Sequence, residues 1–160
     1  MIITKGLIMN AKNEANQLAI MDEGHRYTYR ELAGRTELLK QALKRTGVKK
    51  GDRVGILLLN SFRYIETSFA ITAMGAISVP LNIRLSAPEL EYVMNDSEIK
   101  VLFIHREFLP LVPYFKEKVP SIQEYVLAED PGVESELIPY EQYISAGNEA
   151  ALSYDDVEEN

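Results

Sequence analysis

The chain has no cysteine and only two histidines. Without cysteine a disulfide scaffold, a thiolate metal site and a cysteine nucleophile are excluded, and the composition fits a reducing compartment. No apolar run approaches the roughly 18–20 residues that a membrane-spanning helix needs. The opening MIITKGLIM is too short, and too broken by Lys5, to act as a signal h-region. A soluble, cytoplasmic protein is the expectation. Repeats and low-complexity tracts are missing too. So are the phosphate-cradling loops: the glycines are dispersed, and neither GxGxxG nor GxxxxGK[ST] occurs. The serines lack a nucleophile elbow. His25 and His105 have no serine or paired carboxylate at motif spacing and read as structural or solvent-facing. On these grounds no residue is assigned a catalytic or metal-binding role.

What remains is enough for a core, since 46% of the 160 residues are hydrophobic. The net charge of −7 is unevenly spread: residues 1–118 hold all 17 Lys and Arg against 13 acids, and residues 119–160 hold 11 acids and no base. A single-sign field of that kind disfavours nucleic acid as a partner and reads as a solvated acidic periphery. Three parts are expected. Residues 1–17 form a lead-in, residues 18–130 an α/β subdomain, and residues 131–160 an acidic, partly ordered segment.

Local signals support an α/β class. The lead-in has room for a short helix around Leu7–Asn13. Leu18–Met21 and His25–Tyr29, separated by a turn at Asp22-Glu-Gly24, read as a hairpin. Thr28-Tyr-Arg-Glu31 is a capping box, and the helix behind it carries Leu32, Thr36, Leu39 and Leu43 on one face. Gly47 suits its C-terminal end. Lys49-Lys-Gly-Asp52 is read as a helix-to-strand turn rather than a phosphate site. The run after Arg53 is continuously apolar from Val54 to Leu59, as in a strand buried on both faces of a parallel sheet. Asn60 or Ser61 caps the next helix, whose expected core face is Phe62, Ile65, Phe69 and Met74.

Ser86-Ala-Pro-Glu89 is a second capping box, with Pro88 in the first turn where its missing N–H costs nothing. Leu90, Val93 and Met94 form the buried face of that helix. Strands are expected at Lys100–Ile104 and Gln123–Ala128, with a short helix near Leu111–Val119 between them. Beyond Glu129 only Tyr140–Ser145 shows an ordered pattern, and Ser153–Asn160 has no reason to fold alone. Helices alternating with strands after an N-terminal hairpin imply a mostly parallel sheet with helices on both faces.

The stretch Thr72–Leu85, TAMGAISVPLNIRL, organises the rest. A helix end turns at Gly75, and Ala76–Val79 reads as a buried strand. Pro80 then releases the polar pair Asn82 and Arg84 at the strand's C-terminal end, where open α/β sheets bind ligands. Arg84 suits a phosphate bidentately. The competing role is pairing with Glu89 or Glu91 to brace the next helix.

Several segments resemble a known family. Tyr27-Thr-Tyr-Arg-Glu-Leu32 resembles the TYxEL motif of the AMP-forming acyl-CoA synthetases and the wider adenylate-forming superfamily. Gly47–Ile56 is similar to their GVxxGDRVAI strand entry, Thr72–Leu85 to their second core motif, and Glu89–Phe103 to ELxYxLxDSxxKVLF. The likeness is collinear from about Leu18 to Val126. Pro80-Leu-Asn-Ile-Arg-Leu85 resembles the CoA-ligase form, where amino-acid-activating modules tend to carry Pro-Ile-Asp.

The resemblance implies the N-terminal subdomain of an ATP-dependent acid–CoA ligase. Such an enzyme uses ATP, Mg²⁺ and CoA to turn a fatty or other carboxylic acid into an acyl-adenylate and then a thioester. It also implies that an arginine at the position of Arg84 approaches a phosphate of CoA. The family's Ser/Thr/Gly-rich phosphate loop, its adenine and ribose motifs and its C-terminal catalytic lysine do not occur in these residues. The 160 residues alone are therefore expected to bind none of these cofactors and not to adenylate. The expected partners are the remaining domains of the same enzyme, or a second copy through an exposed apolar face. The alternative is a stand-alone, non-catalytic interaction module with the same subfold.

Overall fold

A computed structural model of the chain describes residues 3–22, 24–129, 132 and 134–145. The lead-in helix runs from Thr4 to Asn13 (α1) and tucks Leu7 against the next layer. A two-stranded antiparallel ribbon follows, β1 (Leu18–Asp22) and β2 (His25–Thr28). Thr28 ends the ribbon and caps α2 (Tyr29–Arg45): the Glu31 amide donates to its hydroxyl, and the Glu31 carboxylate accepts from its backbone N–H at 2.8 Å. Gly47, at φ +87°, turns the chain out of α2 in a conformation that costs a Cβ-bearing residue more.

The main sheet has five parallel strands in the order β4-β3-β5-β6-β7. These are β3 (Arg53–Leu57), β4 (Ile77–Pro80), β5 (Val101–Ile104), β6 (Glu124–Leu127) and β7 (Ile138–Pro139). Between them lie α3 (Phe62–Ala73), α4 (Ala87–Ser97), a 3-10 segment (Arg106–Leu111) and α5 (Val112–Lys118), and α6 (Tyr140–Ser145) follows β7. Strand alternation divides the core. Val54, Ile56, Val101, Phe103 and Val126 face a cluster built with α2, α3 and α6. Leu57, Leu102, Ile104 and Leu127 face one built with α4 and α5. Helices thus cover both faces, as expected from the alternation.

Lys49–Asp52 forms a turn between α2 and β3. Asp52 accepts from the Lys49 amide and pairs with Lys100, both at 2.8 Å, so its carboxylate ties β3 to the start of β5. Burial alone would raise this carboxyl, but the Lys100 ammonium and the Lys49 N–H outweigh it and hold it below the ordinary aspartate range. Arg53 braces the far end of α4, donating to the Ser97 carbonyl at 2.6 Å and pairing with Glu98, which leaves the helix at φ 48°.

Four local expectations change. The strand after Gly75 is not buried: β4 lies at the sheet edge, and Ile77 is 50% exposed. Apolar composition alone does not distinguish an edge strand from a central one. The inner face of α3 is not the predicted Phe62, Ile65, Phe69 and Met74 stripe. Phe62 and Met74 are buried, but Ile65 is 38% exposed, and Arg63, Glu66 and Thr67 take the inward positions beside Ala70 and Ile71. Charged residues that are buried because they are paired carry no hydrophobic signal. The helix near Leu111–Val119 begins as the 3-10 segment around Pro110 and becomes α-helical at Val112. Finally, β7 is a two-residue strand with no detectable period. The expectation for Ser153–Asn160 lies outside the described residues.

Candidate functional site

Parallel strands all present their C-terminal ends at one edge of the sheet, and three features collect there. The first is the exit from β4. The Leu81 amide still donates to the Ile56 carbonyl at 2.9 Å, and the Leu81 side chain is buried, so the backbone is anchored up to this residue. Past it, the Asn82 side-chain oxygen accepts from the Arg84 amide at 3.0 Å and the Asn82 carbonyl from the Leu85 amide at 3.1 Å. Those two bonds fold 82–85 into a tight turn that ends on the cap of α4. Ser86 offers both its amide and its hydroxyl to Glu89, at 2.8 and 2.6 Å, and these bonds keep the Glu89 carboxyl below its ordinary value.

Arg84 is exposed on this turn. The bracing role weighed for it is not what the structure displays, because both candidate partners are engaged elsewhere. Glu89 serves Ser86, and Glu91 accepts from the Tyr114 hydroxyl. The Arg84 guanidinium therefore has no ion-pair partner among the described residues. A planar, permanently charged fork held on a short anchored loop can take a phosphate by two parallel bonds.

The second feature is His105, directly after β5. Its Nδ1 accepts from the Glu107 amide at 3.3 Å, and its Nε2 donates to Glu129 at 3.0 Å. Glu129 also accepts from the Arg106 amide at 3.2 Å. Both ring nitrogens are occupied, which is a structural tie between the exits of β5 and β6. His25 lies apart, edge-on to Phe62 at 4.8 Å between ring centroids.

The third feature is a cleft of about 270 Å³ beside the N-terminus of α3, lined by Ile20, Met21, Asp22, Asn60, Ser61, Phe62, Tyr64 and Ile65. Ser61 caps α3, accepting from the Tyr64 amide at 3.3 Å, and Asp22 accepts from the Phe62 amide at 2.9 Å. A carboxylate of the chain itself already occupies the helix terminus, so this cleft is not an anion site. Among the described residues, no group of three or more His, Asp or Glu could hold a metal ion. No helix among them is long and apolar enough to cross a membrane.

The class of the chain is an α/β fold with a parallel sheet covered by helices on both faces and an exposed arginine at its C-terminal edge. Its family follows from comparison. Residues 8–157 match the AMP-binding enzyme family, and the chain belongs to that family. It is 38% identical over 128 residues to the long-chain-fatty-acid–CoA ligase of Thermus thermophilus, covering 80% of this chain and 23% of that protein. It is 29% identical to the medium-chain-fatty-acid–CoA ligase of Ectopseudomonas oleovorans, covering 84% of this chain and 26% of that protein. Among solved structures, the anthranilate CoA ligase AuaEII, crystallised with anthranoyl-AMP, superposes with a TM-score of 0.80 at 29% identity, over 93% of this chain and 28% of that one. The chain spans about a quarter of the length of the curated relatives it matches.

Proposed function

We propose that this chain is the N-terminal scaffold of an ATP-dependent acid–CoA ligase. The family match over residues 8–157, to relatives named as CoA ligases, carries the reading. In such a ligase a carboxylate oxygen attacks the α-phosphorus of ATP and pyrophosphate leaves. The CoA thiol then attacks the acyl carbon, and AMP leaves. Electrostatic stabilisation of the phosphoryl centre needs converging donors, usually with Mg²⁺. On this reading adenylation draws on donors beyond the described residues, and the 160 residues alone are expected not to adenylate.

The part assigned to this chain is to hold the sheet edge rigid and to offer Arg84 to a phosphate of CoA. The exposed, unpaired guanidinium on an anchored turn supports that role. An absence of cysteine supports a cytoplasmic setting. Exposed Met21 and Ile65, at 63% and 38%, support contact with further chain or with a second copy.

A segment exchange tests the reading. Residues 8–145 replace the matching segment of the Thermus thermophilus ligase, and acyl-CoA formation is followed. The chimera is expected to form acyl-CoA. Arg84→Ala in it is expected to raise KM for CoA about tenfold to a hundredfold, as for one lost charge-assisted pair, with KM for ATP unchanged. A folded chimera without acyl-CoA formation would overturn the ligase assignment. An unchanged KM for CoA would remove Arg84 from it.

A further inference from the structure

A dense polar construction lies outside the Arg84 turn. Arg35, on the second turn of α2, forks two carboxylates from two other elements. Its Nε and Nη2 donate to Glu66 of α3 at 2.5 and 3.2 Å. Its Nη1 and Nη2 donate to Glu141 of α6 at 3.0 and 2.8 Å. The Tyr140 hydroxyl adds a bond to Glu66 at 2.8 Å. The guanidinium also lies over the rings of Tyr27 and Phe62, at 4.9 and 5.4 Å from their centroids. Glu66 and Tyr140 are completely buried.

This exceeds what holding α2 on α3 requires, because those two helices already share apolar packing through Leu39, Leu43, Ala70 and Ile71. α6 joins the same apolar core through Tyr140, Tyr143 and Ile144, but it is the shortest of the three helices. Six residues do not make a stable helix by propensity. Its described polar tethers run to α2 and α3: Arg35 on Glu141, Arg63 more distantly on the same carboxylate at 3.8 Å, Thr46 on the Tyr143 hydroxyl at 2.7 Å, Arg45 on the Tyr143 carbonyl at 3.4 Å, and Glu66 on Tyr140. Because β7 is parallel to β6, α6 begins at the same sheet edge that carries Arg84. The family match continues past it to residue 157.

We propose that Arg35 is a positioning residue: by forking Glu66 and Glu141 it fixes α6, whose first residues follow β7 at the ligand edge of the sheet. Its value to catalysis rests on the ligase reading, but the positioning itself does not. Lysine at this position keeps the charge and can pair with one carboxylate, but it lacks the second arm of the fork. Glutamine at 141 keeps the shape of that side chain and removes its charge.

Amide hydrogen exchange, followed by mass spectrometry on the 160-residue chain, tests it without any activity assay. In Arg35→Lys, amides of 140–145 are expected to exchange about tenfold to a hundredfold faster, with β3 and β5 protected as before. Glu141→Gln, on a side chain still 36% exposed, is expected to give the same regional loss and keeps the test open should Arg35→Lys fail to fold. Unchanged protection of 140–145 in either folded variant would overturn the proposal. So would faster exchange spread evenly over the sheet, since Arg35 would then support the fold rather than α6. A failed ligase assignment would leave both exchange results standing.

Discussion

Gly55 sits in the middle of β3, an interior strand, and replacing it with alanine is a measurable test of how tightly that strand is enclosed. A Cβ built there comes 2.7 Å from Ile99 Cδ1, 3.0 Å from Leu102 Cδ1 and 3.6 Å from Leu81 Cδ1. Ordinary carbon contacts lie at about 3.5–4.0 Å, so the Ile99 methyl must retreat by roughly 1 Å. Ile99 and Leu102 are fully buried and have little room to do so. Overpacking of that kind costs about 1–3 kcal/mol. Alanine returns roughly 0.5–1 kcal/mol of backbone entropy over glycine.

The expected net loss for Gly55→Ala is therefore about 1–2 kcal/mol, read as a lower urea midpoint at unchanged slope. Ile99→Val removes the offending Cδ1 and alone costs about 0.5–1.5 kcal/mol. The double variant is expected to be more stable than the sum of the two single losses, by about 1 kcal/mol. Strict additivity would refute the close approach, and so would a Gly55→Ala protein as stable as the parent. Leu81 anchors the turn that carries Arg84, so the same variant reports whether the strand interior and the sheet edge are mechanically linked.

Further outcomes are expected. Thr28→Ala removes the α2 cap and should cost about 0.5–2 kcal/mol in urea unfolding. The Glu31 carboxyl is held below its ordinary value by the Thr28 amide and hydroxyl, and Asp52 and Glu89 are also lowered. Groups lowered on folding stabilise the fold above their unfolded values and lose that contribution as pH falls through the folded ones. Unfolding midpoints should accordingly drop below about pH 4; a flat profile from pH 5 to 2 would contradict these contacts. Arg84→Ala should leave the urea midpoint of the isolated chain within about 0.5 kcal/mol, as for a surface change. Pyrophosphate exchange by the 160 residues with ATP and a panel of fatty acids should stay at background, and turnover above it would place adenylating groups inside this chain. Light scattering should detect self-association burying more than about 1,000 Å², and a clean monomer across concentrations would count against a second copy as partner.

The fold was legible where physics is local. Both capping boxes, the glycine turn after α2 and the doubly buried β3 follow from spacing alone, and the structure has each of them. Legibility failed where position in the sheet decides. Ile77 and Val54 look alike in sequence, yet one is on the edge strand and the other on an interior strand. It failed again where polar residues are buried in pairs. Arg35, Glu66 and Glu141 are 31 to 106 residues apart, and no periodicity links them. Arg84 was visible from its place after a strand. That its two rival carboxylates are occupied was not, because Glu91 is taken by Tyr114 from a different helix.

Pro80 carries a consequence for how these molecules meet one another. The amides of Ile77 and Leu81 point inward to β3, and that of Ala76 is bonded to Ile71. Along the outer rim of β4, proline removes the N–H that would otherwise face solvent at position 80, leaving Ser78 as the only backbone donor between Ala76 and Leu81. A neighbouring molecule trying to extend the sheet would find one rung where it needs several. Fibril-like stacking through this rim is blocked by a single imino acid, and contacts between copies must be made by side chains instead.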